Sequence, residues 1–137
     1  MAAFAVHAVL VVFPPLVALE RVRSAIQGEP PVGQLGAQDL STATGFGAFT
    51  GEVTAEMLMD HGVSWVLVGH SERRKGVAGT PGELPEHVAA KLRRALEAGL
   101  SVVLCVGESL DERQGGRTME VVRRQLAPLE GLSASQW

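Results

Sequence analysis

Four short apolar runs, spaced along the chain with helical patterns between them, restrict the possible fold more than any other feature. They are AVLVVF (Ala8–Phe13), VGQLGAQ (Val32–Gln38), WVLVG (Trp65–Gly69) and SVVLCVG (Ser101–Gly107), the second being the weakest. Three of them lack polar alternation, which suits strands covered on both faces, as in parallel sheets. The intervening stretches carry a helical period. Leu19–Gly28 has charge on one side and ends in glycine. Thr54–Gly62 opens on a threonine suited to an N-cap and closes on glycine. Pro85–Gly99 is the clearest: proline suits a first turn, Val88, Leu92, Ala95 and Leu96 keep helical spacing, and glycine ends it. Thr118–Leu126 predicts a further helix. The β-α order repeats at intervals of roughly 25 to 35 residues, the length of βαβ units. Right-handed crossovers then make neighbouring strands parallel, so the expected class is α/β.

The 137 residues fit one domain spanning residues 1–137, and no linker or low-complexity segment divides them. Lys75–Pro85, rich in Gly and Pro, reads as a loop. A net charge of −3 and the lack of a long basic stripe give no reason to expect nucleic acid. One cysteine, Cys105, excludes an internal disulfide and fits a reducing, cytoplasmic setting. Met1–Leu19 carries no Asp, Glu, Lys or Arg. A signal peptide needs a basic segment ahead of its apolar one, and a membrane span needs about 20 apolar residues, whereas Pro14-Pro15 interrupts this run. The expectation is a buried strand stopped by prolines, with no membrane association.

In parallel sheets, chemistry gathers at the carboxyl ends of the strands. Asp39 follows the second run, His70 the third and Glu108 the fourth. Ser71, Glu72 and the residues after them can start a helical turn whose N–H groups face the imidazole. The partial positive charge there opposes protonation by about 0.3–1 kcal/mol, up to about 2 when buried. Arg73 and Arg74 are expected to push the same way, giving a neutral imidazole able to donate to a substrate oxygen. A histidine that merely caps a turn is the plain alternative. Glu72 and the arginine pair read as a solvated charge run or, given their place on a strand-end loop, as buried ion pairs. Cys105, in mid-run, is expected in the core. Glu108 is expected at a helix N-terminus, in a structural role.

GFGAFTGE (Gly45–Glu52) has glycines one residue too widely spaced for a dinucleotide fingerprint, and no lysine follows a glycine run as in a P-loop. His7, His61, His70 and His87 show no metal spacing, and there is no G-x-S-x-G elbow. These absences remove most cofactor-based enzymes.

The residues themselves say more than their spacing. GAFTGE (Gly47–Glu52), WVLVGHSERR (Trp65–Arg74) and CVGESLDER (Cys105–Arg113), in this order, closely resemble the triosephosphate isomerase family. GAQD (Gly36–Asp39) fits too, and VVRRQLAPLEGLSASQW (Val121–Trp137) more loosely. The resemblance implies parallel βα units of an eight-stranded (β/α)8 barrel, incomplete in this chain and covering about strands two to five. It implies interconversion of dihydroxyacetone phosphate and D-glyceraldehyde 3-phosphate through an enediolate, in glycolysis and gluconeogenesis, without metal or cofactor. A neutral histidine is a known property of this family. His70 matches the electrophilic histidine, and Ser71, Glu72 and Arg73 match its supporting shell. Thr50 matches the position that reaches across a homodimer interface toward the partner's site. Cys105 and Glu108 match structural positions near that rim.

The departures also carry expectations. The family opens on a strand with an Asn-x-Lys element, yet this sequence has no asparagine. The family's glutamate base lies in a Y-E-P-x-W segment that is absent here, as are the lid and phosphate loops beyond it. Gly76–Pro85 departs from the family pattern, leaving the contacts of the arginine pair open. The isolated chain is therefore expected to be inactive, and its strand edges to promote self-association. The alternative reading is a non-catalytic half-barrel that binds a partner chain.

Overall fold

The computed structural model describes residues 9–26 and 33–132. The expected element boundaries at Ala8, Gly28 and Val32, and residues 133–137 of the last family-like segment, lie outside them. Strand β1 (Val11–Val12) stops ahead of Pro14-Pro15, and a 3₁₀ turn (Leu16–Ala18) leads into helix α1 (Leu19–Ile26). Strand β2 (Gln34–Ala37) is followed by a long loop and helix α2 (Ala55–Asp60), whose Thr54 hydroxyl accepts the Met57 N–H at 3.3 Å as expected of an N-cap. Strand β3 (Trp65–Val68) runs into the short helix α3 (Ser71–Lys75). Helix α4 (Pro85–Ala98) starts on its proline and closes on Gly99 in the left-handed conformation. Strand β4 (Ser101–Leu104), α5 (Leu110–Gln114), α6 (Thr118–Leu126) and a 3₁₀ turn (Ala127–Leu129) complete the order.

The strands form one parallel sheet in the order β1-β2-β3-β4. Sequential order with right-handed crossovers leaves the connecting helices on one face. Register aligns Ala37 with Val66 and Val66 with Val102, so these residues share that face. Beneath the helices, Leu35, Ala37, Val66 and Val68 pack with Leu58, Val88, Leu92 and Ala95, all nearly inaccessible. Full burial of each such Leu or Val contributes about 1.5–3 kcal/mol.

The opposite face is barer. Leu67 is half-buried and Val103 is 37% exposed. The expectation that apolar runs are covered on both faces therefore holds on one face only, because no crossover among the described residues delivers a helix to the other. Two further corrections concern the fourth run. Pairing ends at Leu104, so Cys105 lies past the strand and is half-buried rather than in the core, although its N–H still donates to Val68 O at 2.9 Å. The unexpected helix α5 rests on a capping box, Ser109-x-x-Glu112, in which each side chain bonds the other's backbone. Glu108 stands one residue ahead of that cap, beside a helix N-terminus as expected, and accepts the Thr118 hydroxyl at 3.1 Å.

Candidate active site

The carboxyl ends of β1, β2 and β3 frame a cleft of about 570 Å³. Its walls include Pro14 and Leu16 after β1, Asp39 after β2, and His70, Glu72 and Arg73 after β3, with Lys91 reaching in from α4. Two of the three residues expected at strand ends, Asp39 and His70, thus meet in one cleft.

Gly69 releases His70 from the strand. Its φ of +75° suits glycine, and a Cβ there would lie 2.6 Å from Arg74 Nη2 and 2.8 Å from Val88 Cγ1. His70 then caps α3. Its Nδ1 accepts the Glu72 N–H at 3.4 Å, and Arg74 N–H donates to His70 O at 3.0 Å. In the neutral ring, a nitrogen that accepts a backbone N–H carries no proton, which leaves Nε2 as the donor. Glu72 Oε2 stands 3.6 Å from the same Nδ1, beyond hydrogen-bond length. The imidazole lines the cleft with 46% of its side chain exposed, so it is neither shut in packing nor remote from a cavity.

The arginine pair forms two clamps. Arg73 Nε lies 2.8 Å from Asp39 Oδ2, and its Nη2 lies 2.8 Å from Glu83 Oε1. Lys91 Nζ meets the same two carboxylates, at 2.7 Å from Asp39 Oδ2 and 2.6 Å from Glu83 Oε1. Two anions and two cations thus close a ring joining the end of β2, α3, the α3–α4 loop and α4. Burial works against the charge of Glu83, but its bonds with Lys91 and Arg73 prevail and hold its carboxyl below the usual range. Burial likewise opposes the charge of Arg73, while Asp39 and Glu83 raise its pKa overall. Arg74 points elsewhere: its Nε donates to Gly69 O at 2.7 Å and its Nη2 to Cys105 O at 2.9 Å. Burial lowers the Arg74 pKa, and burial raises that of the Cys105 thiol.

The expected buried ion pairing of the arginines holds only in part: Arg73 is ion-paired but about half exposed, Arg74 bonds backbone carbonyls rather than a carboxylate, and Glu72 stays solvated. Arg73 is compensated by two carboxylates. Ser71 occupies the first position of α3 and is exposed, outside the cleft lining. Thr50 also stands apart, in a turn closed by Glu52 N–H to Phe49 O at 2.9 Å, on an exposed loop.

Sequence reasoning missed Glu83 and Lys91. A signal for Lys91 was present: with Val88, Leu92 and Ala95 it falls at helical spacing on the apolar stripe of α4, where a lysine needs an anion. Glu83 offered none, since it sits in an irregular loop. Among the described residues, no three His, Cys, Asp or Glu side chains gather as a metal site, and no helix is long and apolar enough to cross a membrane.

The family model described as triosephosphate isomerase matches residues 2–137. The triosephosphate isomerase of Bordetella pertussis is 51% identical over 128 residues, covering 93% of this chain and 49% of that protein. That of Symbiobacterium thermophilum is 48% identical over 128 residues, covering 93% and 47%. That of Lawsonia intracellularis is 43% identical over 117 residues, covering 85% and 44%. The chain spans about half the length of the curated relatives it matches. A four-stranded parallel sheet, a histidine released into a cleft at its carboxyl rim, and these matches lead to one assignment: the chain belongs to the triosephosphate isomerase family.

Proposed function

We propose that this chain supplies the part of a triosephosphate isomerase that polarises the substrate carbonyl. The observation that carries the reading is the His70 imidazole at the mouth of the cleft, with Nδ1 held by a backbone N–H and Nε2 available. An Nε2–H donor aimed at a carbonyl oxygen stabilises the charge that develops as a neighbouring carbon loses its proton to an enediolate. The substrates of the reading are dihydroxyacetone phosphate and D-glyceraldehyde 3-phosphate.

The same cleft explains what this chain leaves to other residues. Its two cations, Arg73 and Lys91, are already engaged by Asp39 and Glu83, and neither offers an uncompensated charge to a phosphate. No Y-E-P-x-W segment supplies a base, since the sequence holds no tyrosine. The 137-residue chain alone is expected to give no turnover. The Gly45–Gly51 loop, with Phe46 69% exposed and Thr50 in the turn at its end, is the surface this reading assigns to a second copy in a homodimer. Cytoplasmic placement belongs to the same reading.

The test is a hybrid barrel in which this chain replaces the matching half of the Bordetella pertussis relative. The hybrid is expected to isomerise triose phosphates in a coupled assay, and His70→Gln to lower kcat by about 10²–10⁴-fold. A folded hybrid whose turnover is indifferent to His70→Gln refutes the reading, as does family-like turnover by the 137-residue chain alone.

A further inference from the structure

Helix α3 has five residues, too few to hold its own shape, yet it fixes the imidazole that caps it. Its position must come from outside. One flank is held by Arg74, which bonds carbonyls at the ends of β3 and β4. The other is held by Arg73 in the ring with Asp39, Glu83 and Lys91. Glu83 grips the helix twice, because its backbone N–H also donates to Arg73 O at 2.8 Å.

The ring is poorly suited to stability alone. Side-chain exposure is only 10% for Lys91 and 11% for Glu83, so both charges are largely desolvated. Glu83 Oε2 is buried without any protein partner. Replacing such a buried pair by apolar side chains is often neutral or stabilising. What apolar side chains would not supply is direction: bonds from two carboxylates fix where Arg73, and hence α3, must lie.

We propose that Glu83 and Lys91 are positioning residues for His70, acting through the ion-pair ring on Arg73 to hold α3 and the imidazole in one orientation at the cleft. The proposal deepens the isomerase reading and rests on it for the catalytic meaning of that orientation.

The experiment uses the 15N-labelled 137-residue chain and its Lys91→Met, Glu83→Gln and doubly substituted forms. Long-range imidazole 1H–15N correlations report the His70 tautomer, with His70→Gln assigning the signals, and amide exchange reports α3 and β3 separately. The parent is expected to show the Nε2–H tautomer alone. Each single substitution leaves an unbalanced charge in the ring. Each should give mixed tautomers and exchange at Arg74 at least about tenfold faster, with Val66 and Val68 in β3 as in the parent. The double substitution leaves Asp39 and Arg73 paired and should recover most of the parental pattern. Parental tautomer and exchange in the single variants would overturn the proposal, and so would β3 exchange rising in step with α3, the mark of a merely structural role. In the hybrid barrel, the single variants should lower kcat with KM little changed. A hybrid without turnover, in which the tautomer still responds to Lys91→Met, would refute the isomerase reading and support the positioning role.

Discussion

The segments that leave the carboxyl ends of β2 and β3 are built in opposite ways. After β3, the chain is clamped: Arg74 bonds two strand-end carbonyls, Arg73 enters a ring of four charges, and a Cβ on Gly82 would lie 2.1 Å from Arg74 O. After β2, residues 44–52 are largely exposed, and Cβ atoms on Gly45 and Gly51 would meet nothing within 4 Å. This loop is closed at its base by Ser41 N–H to Val53 O at 2.8 Å and tethered by Glu56, which accepts the Gly45 N–H at 2.9 Å and pairs with Arg94. The difference shows how two proposed roles go with two kinds of local structure. A group proposed to meet a reacting atom is over-determined by its surroundings, whereas a loop proposed to meet another protein surface keeps its apolar side chains outward.

Matched glycine substitutions give the largest expected effect. Gly69→Ala places a Cβ against Arg74 and Val88 at positive φ, and should cost about 2–4 kcal/mol, combining backbone strain with overpacking. Gly51→Ala has positive φ but open space, and should cost only about 1–2 kcal/mol. Denaturant unfolding of both variants measures the gap, and equal losses would break the contrast.

Acid should loosen both segments. Burial opposes the charge of Glu83, but Lys91 and Arg73 outweigh it, and the Gly45 N–H leads the contributions that depress Glu56. With folded pKa values below unfolded ones, each contributes stability above the ordinary glutamate value of about 4.3. That stability is lost as pH falls through the lower folded value. Amide exchange corrected for intrinsic rates should therefore accelerate as pH falls below about 4.3, at Arg74 and Gly45 alike.

Glu56→Gln sharpens the contrast further. Removing the charge that holds Gly45 and Arg94 should make protease cleavage within residues 44–52 severalfold faster and leave the His70 tautomer as in the parent. A changed tautomer would join the two segments into one unit. The smallest effect is expected from Phe46→Ser, within about 0.5 kcal/mol in unfolding, because the ring contributes little to the core.

Much of this architecture was legible from local pattern. Val88, Leu92 and Ala95 announced α4 because an amphipathic stripe repeats with the helical turn, and Trp65–Val68 read as a strand because β-branched and apolar residues crowd together. Leu110–Gln114 was missed although Ser109 and Glu112 carry a capping-box pattern, since five residues leave too short a period to see. His70 was legible from its place after β3, and Asp39 from its place after β2. Their meeting across the cleft was not.

By itself, the sequence determined the β-α alternation, the parallel class, the end points of the main helices and the placing of His70 at a strand's exit. The elements and their ends depend on neighbours within a few residues, and the parallel class on the handedness of crossovers between successive strands. Only the tertiary structure decided that Glu83 and Lys91 complete a ring with Asp39 and Arg73, that one face of the sheet stays barer than the other, and that Cys105 lies outside the core. Lys91 and Asp39 are 52 positions apart. The bond between them exists because the parallel sheet and its crossover bring those positions together, and no periodicity along the chain encodes that distance.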